Sequence, residues 1–199
     1  MEEIREAVIE NIQEGLENSM SYEAYQELIA ELLEKGESTT KGGSEALVPF
    51  SELNLRRMSR WDRRFEIEPE WEEKIKQAPA QIWIVLTEGW CGDAAHCVPI
   101  MQKIAEKNEN IDLRIVLRDS NEDLMNDFLT NGSKSIPKLI MYDPVSETVK
   151  NTWGPRPAGA AEVFESLRGE DYEVINVELQ KWYNKDKGRS TAAEIVELL

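Results

Sequence analysis

Glu88-Gly89-Trp90-Cys91-Gly92-Asp93-Ala94-Ala95-His96-Cys97-Val98-Pro99 follows directly on the apolar run Ile82-Trp83-Ile84-Val85-Leu86, and this junction decides the fold. Five consecutive β-prone apolar residues read as a strand buried on both faces. The chain then turns into a helix over about 91–107, with Val98, Met101, Ile104 and Ala105 facing inward. Cys91 therefore falls at a helix N-terminus. Unpaired backbone N–H groups and the positive end of the helix dipole favour thiolate there, so an exposed, activated thiol is expected.

Working outward, 113–117 reads as a second strand and 120–130 as a helix opened by Ser120-x-x-Asp123. Residues 139–142 and 148–150 form a hairpin around Asp143-Pro144, and 158–167 is a helix. The order β-α-β-α-β-β-α predicts an α/β domain over 81–168, a mixed sheet with helices on its faces. Residues 1–80 read as a helical extension packed on that core. Its first stripe is Ile4, Val8, Ile12 and Leu16; a second, Tyr25, Leu28, Ile29 and Leu32, stops at Gly36. A loop spans 36–44, and helices follow at about 50–65 and 69–77. Residues 169–199 form a C-terminal helical extension, with a helix at 174–185 and a last short one capped by Thr191-x-x-Glu194.

The Trp90-Cys91-Gly92 motif, Pro99 eight residues past Cys91, Ile136-Pro137 before the hairpin and Gly154 after the last strand together resemble the thioredoxin family. The resemblance implies a thioredoxin fold and a helix kinked at Pro99. It implies Cys91 as nucleophile and a cis peptide bond at Pro137. It also implies a substrate seat formed by Trp90, Gly92, Ile136 and Pro137, in which the Ile136 backbone pairs with a bound peptide and Trp90 shields one side.

The chain departs from that family at two places. Ala94 stands where the second catalytic cysteine would lie, and Val85 stands where a buried acid would lie. Both losses affect release of the substrate by a second thiol. Cys97 is the other candidate thiol, but six residues along a helix put the two Cα atoms about 10 Å apart. That exceeds the ~7 Å limit for a disulfide without backbone movement. Cys97 is accordingly expected as a small core residue; unwinding of the first helical turns after oxidation is the sharper alternative. Asp93 suits a first helical turn and, being negative, opposes thiolate formation at Cys91. Cys91, His96 and Cys97 point in different directions on one helix, so no metal site is expected, and His96 is expected at the surface. No cofactor is implied.

Arg56, Arg57, Arg60, Arg63 and Arg64 cluster within an otherwise acidic chain of 199 residues and net charge -16. They are expected to pair with the chain's own carboxylates, the alternative being a site for an acidic low-molecular-weight thiol or an acidic partner segment. The overall charge repels nucleic acid and anionic membranes. The opening Met1-Glu2-Glu3-Ile4-Arg5 lacks a basic stretch leading into an apolar core, no run approaches a membrane span, and only two cysteines are present. A cytoplasmic location is expected. The functional expectation is a monothiol-type thiol–disulfide oxidoreductase acting on protein or low-molecular-weight disulfides and resolved by an external thiol. The alternative is a non-catalytic thioredoxin-fold adaptor. Nothing in the sequence indicates an oligomeric state.

Overall fold

The computed structural model describes residues 2–40, 42 and 45–199, with side chains from Arg5 onward. The Ile4 side chain of the first stripe, and Lys41, Gly43 and Ser44 of the expected loop, lie outside what is described. Helices α1 (Glu2–Glu17), α2 (Tyr22–Glu34), α3 (Val48–Arg64) and α4 (Pro69–Gln77) precede strand β1 (Gln81–Thr87). Then come α5 (Gly92–Ala105), β2 (Ile111–Leu117), α6 (Glu122–Asp127), β3 (Lys138–Asp143) and β4 (Thr148–Trp153). Helices α7 (Ala158–Ser166), α8 (Tyr172–Asp186) and α9 (Arg189–Glu197) close the chain.

The sheet order is β2-β1-β3-β4. Strand β1 runs parallel to β2 and antiparallel to β3, and β4 returns antiparallel to β3. A parallel pair needs a long crossover, which α5 supplies. Trp83, Ile84, Val85 and Leu86 are wholly buried, as an uninterrupted apolar run in a central strand requires. The chain between α1 and α2 covers the far edge of β2. There Met20 and Ile115 exchange backbone hydrogen bonds of 2.9 and 2.8 Å, so that edge is not left open to another chain. Helix α3 lies along α5, anchored by the buried Trp61, with Phe65 buried just past its end.

Two helix starts differ from expectation. The chain passes Ser120 in a short 3-10 turn, and Asn121 precedes α6 without a side-chain cap. The Asn121 amide donates instead to Leu117 O at 2.8 Å, and α6 ends before the expected residue 130. Helix α9 begins after Gly188, whose φ is +81°, so Thr191 sits inside the helix and is buried. The Glu194 carboxylate serves a different helix. It accepts the Ala158 N–H at 2.8 Å at the start of α7 and the Trp153 indole N–H at 2.7 Å.

Among the described residues, no helix is long and apolar enough to cross a membrane.

Candidate functional site

Cys91 is the N-cap residue of α5. Its sulfur accepts the Ala94 N–H at 3.5 Å and donates to the Ile136 carbonyl at 3.3 Å. The Ile136–Pro137 peptide is cis, as the family resemblance implied, and Gly154–Pro155 is a second cis bond that the sequence did not announce. Gly154 has φ +115°, and a Cβ there would lie 2.2 Å from the Pro137 carbonyl oxygen. Only glycine lets the end of β4 pass this close to the proline loop.

The expectation of an open, activated thiol is corrected. Cys91 is only 8% exposed, and its pKa is pushed up to about 12. Burial is the main cause and the Asp93 carboxylate the second; hydrogen bonds from the Ala94 and Asp93 N–H groups and the charge of Arg156 pull the other way. Desolvation of a fully buried ionisable group moves its pKa by up to about 3–5 units, more than a helix terminus returns.

Helices α3 and α8 flank the thiol. Asn54 and Arg57 of α3 wall one side of a cleft of about 300 Å³, and Gln180 and Tyr183 of α8 wall another; Cys91, Gly92 and Ile136 line it as well. Phe50, Leu53 and Tyr172 line it while remaining 42%, 44% and 68% exposed, which gives it an apolar rim. Trp90 also lines it. The Trp90 indole N–H donates to Thr40 Oγ1 at 2.5 Å, and Arg118 stacks over the ring at 4.9 Å.

Asp93 occupies the first turn of α5 but is more than a helix-start residue. It pairs with Arg156, whose Nε lies at 3.1 Å, and it accepts the Tyr183 hydroxyl at 2.7 Å. Arg156 in turn lies 4.1 Å over the Phe164 ring.

His96 was expected at the surface and is instead buried. Trp61 Nε1–H donates to its Nδ1 at 3.0 Å, its Nε2 faces Gln180 Oε1 at 3.2 Å, and its ring stacks on Tyr183 at 4.2 Å. Burial and the Trp61 N–H on Nδ1 disfavour the cation, while the Gln180 oxygen facing Nε2 favours it. Burial, with Arg57 second, holds the pKa down to about 3. Cys97 is wholly buried, its sulfur 3.8 Å from both the Tyr183 and Thr191 hydroxyls, and burial pushes its pKa up.

The arginine cluster does not pair as a group with carboxylates. Arg56 pairs with Glu52, Arg60 donates to Asn184 Oδ1 at 2.9 Å, and Arg57 donates to Asn54 Oδ1 at 2.9 Å within the cleft. Sequence reasoning also missed Glu88. Val85 is buried where an acid was missing, but Glu88, just before Gly89, is itself fully buried. Its carboxylate accepts the Thr39 hydroxyl and, at 2.9 Å, the Asp119 N–H; burial raises its pKa. A glutamate in a loop is ordinarily exposed, so composition carried no signal of this.

Comparison with known proteins agrees with this geometry. No curated protein matches the chain. A protein of unknown function from Pseudomonas aeruginosa, solved by crystallography, superposes with a TM-score of 0.58 at 16% identity, covering 85% of this chain and 95% of that one. An HIV epitope-scaffold crystal structure gives 0.55 at 16% identity, with coverages of 85% and 95%. Both share the fold. The sequence model of the family described as Thioredoxin matches residues 44–168, so α3 and α4 fall within the match. With most of its length matched, a cysteine at the tip of α5 and a cis-proline facing it, the chain belongs to the thioredoxin family.

Proposed function

We propose that the protein is a monothiol thiol–disulfide oxidoreductase with Cys91 as nucleophile. The observation that carries this reading is the Cys91 sulfur, 3.3 Å from the carbonyl of the residue before the cis-proline and lining a cleft that can admit a small molecule. The thiol loses its proton to solvent and its sulfur attacks one sulfur of a disulfide. A Cys91–substrate disulfide forms, the substrate S–S bond breaks, and the other half leaves as a thiolate. An external low-molecular-weight thiol then attacks the mixed disulfide and regenerates Cys91. Trp90, Gly92, Ile136 and Pro137 form the seat around the sulfur. Ala94 and the sealed Cys97 leave the external thiol as the resolving group.

A disulfide-reduction assay driven by mercaptoethanol compares the native chain with Cys91→Ser. Turnover in the native chain and its loss in the variant are expected. Equal rates would instead favour an adaptor, a reading supported by the protonated thiol and by the exposed apolar rim at Phe50, Leu53 and Tyr172.

A further inference from the structure

The cleft is cationic in an acidic protein. Arg57, Arg118, Lys134 and Arg156 line it against one carboxylate, Asp93, while the chain as a whole carries -16. Three of these cations already have anions: Arg118 pairs with Asp119, Lys134 with Glu122 at 3.4 Å, and Arg156 with Asp93. Arg57 does not. Among the described residues no carboxylate lies within 4 Å of its guanidinium, and its side-chain partner is the neutral Asn54 amide oxygen. Asp93 acts on it only from further away and is itself held by Arg156 and Tyr183.

Arg57 shares the cleft with the thiol and stands beside the residue that follows it. A Cβ built on Gly92, the residue after Cys91, would lie 3.7 Å from Arg57 Nη1. A half-buried guanidinium keeps most of its five N–H donors for a planar anion and binds carboxylates through two parallel hydrogen bonds. The thiol is also recessed, with 8% of its residue surface open, and α3 and α8 stand on either side. A cleft of about 300 Å³ with a recessed sulfur suits a small disulfide better than one held on the surface of a folded protein. A small molecule enters without moving either helix.

We infer that Arg57 binds the carboxylate of a small acidic thiol, and that the partner of Cys91 is the disulfide of such a molecule. This deepens the exchange reading and rests on it. The reaction is the one balanced above: the acidic disulfide is the oxidant, one half is captured on Cys91, and the other half leaves as the free acidic thiolate.

The test uses three disulfides of similar size, those of mercaptopropionate (anionic), mercaptoethanol (neutral) and cysteamine (cationic). Mixed-disulfide formation at Cys91 is followed by mass at low ionic strength. The native chain is expected to react with the anionic disulfide roughly tenfold faster than with the neutral one, and more slowly still with the cationic one. The ratios cancel any change in the thiol's own pKa. In Arg57→Gln the anionic-to-neutral ratio is expected to fall towards one, and Arg57→Lys is expected to restore part of it. Equal rates for the three disulfides in the native chain would overturn the assignment and leave the exchange reading standing. Absence of reaction with all three would end the exchange reading. The anion site is then decided separately by calorimetry of S-methyl-mercaptopropionate binding to Cys91→Ser, with and without Arg57→Gln. Heat lost with the arginine supports the site, and no heat in either chain overturns it.

Discussion

Replacing Asp93 by Asn should make Cys91 more reactive, although it breaks an ion pair. Asn keeps the shape and can still accept the Tyr183 hydroxyl bond of 2.7 Å. What disappears is a negative charge that ranks second, after burial, among the causes of the raised Cys91 pKa. Arg156 simultaneously loses its carboxylate and becomes available to a thiolate. A like charge nearby typically moves a pKa by about 1–3 units, so a fall of about 1–2 units from about 12 is expected. At pH 7 the native thiolate fraction is on the order of one in 10⁵, and each unit of fall raises it tenfold. Intrinsic nucleophilicity drops with a Brønsted slope of about 0.4–0.5, leaving a net gain of roughly 3.5-fold per unit. Exchange with a neutral aromatic disulfide at pH 7, read by absorbance, should therefore speed up roughly 4- to 12-fold. The pH profile in both chains should climb without a plateau below about pH 9. The pair is mostly buried, with side chains 15% and 11% exposed, so the variant is expected to lose about 2–3 kcal/mol of stability and should be assayed well below its unfolding midpoint. An unchanged or slower rate, or a native plateau near neutral pH, would refute the assignment of burial and Asp93 as the forces holding the proton on sulfur.

Glu88 has a folded-state pKa above its ordinary value of 4.5, so the unfolded chain ionises first as pH rises. This group therefore lowers stability through that interval, fully above its folded pKa and not at all below 4.5. Glu88→Gln should equal or exceed the native chain in urea midpoint at pH 7 and lose that advantage in acid; the opposite trend would count against the buried carboxylate. Glu88→Ala, which orphans the Thr39 hydroxyl and the Asp119 N–H, should cost about 2–4 kcal/mol. His96 is the only histidine, and its imidazole resonances should not titrate by NMR above about pH 4. Because the unfolded chain takes up that proton near 6.5 and the folded chain near 3, acid should favour unfolding across the interval by up to about 1.4 kcal/mol per pH unit. Mild diamide treatment should leave Cys97 reduced and give no Cys91–Cys97 bond by mass. A bridged species would show that the first turns of α5 open.

Strand β1, the helix start at Cys91 and the Ile136-Pro137 loop were legible because each rests on a local signal: an apolar run, a turn into a helix, a proline at a family spacing. The solvent around Cys91 was not legible. Its cleft is walled by Arg57 and Tyr183, which approach from segments far away along the chain, and no periodicity near residue 91 reports them. His96 was misjudged for the same reason. Histidine is polar and carries no local signal of its partners, so it looks exposed until Trp61 and Tyr183 close on it from α3 and α8. Cys97 was legible as a core residue because α5 geometry alone turns it away from Cys91. The Thr191 capping pattern failed because Glu194, its partner in sequence, is drawn to Trp153 and Ala158 by tertiary packing.

A thiol at a helix tip is usually discussed through the dipole, yet here the dipole is the smaller force. A helix terminus contributes about 0.3–1 kcal/mol, up to ~2 in favourable sites, whereas burial acts through several pKa units at about 1.4 kcal/mol each. Helix α3 therefore has two opposed effects on the same sulfur. By packing along α5 it helps exclude water and keeps the proton on Cys91; by carrying Arg57 past Gly92 it places a positive charge without a close anion in the cleft that the thiol lines. A disulfide without an anionic group meets only the first effect and reacts with a poorly ionised thiol. A disulfide bearing a carboxylate is concentrated at the sulfur by the second, which offsets the scarcity of thiolate by residence rather than by ionisation. Helix α3 thus contributes both to the selectivity of the site and to its low intrinsic reactivity.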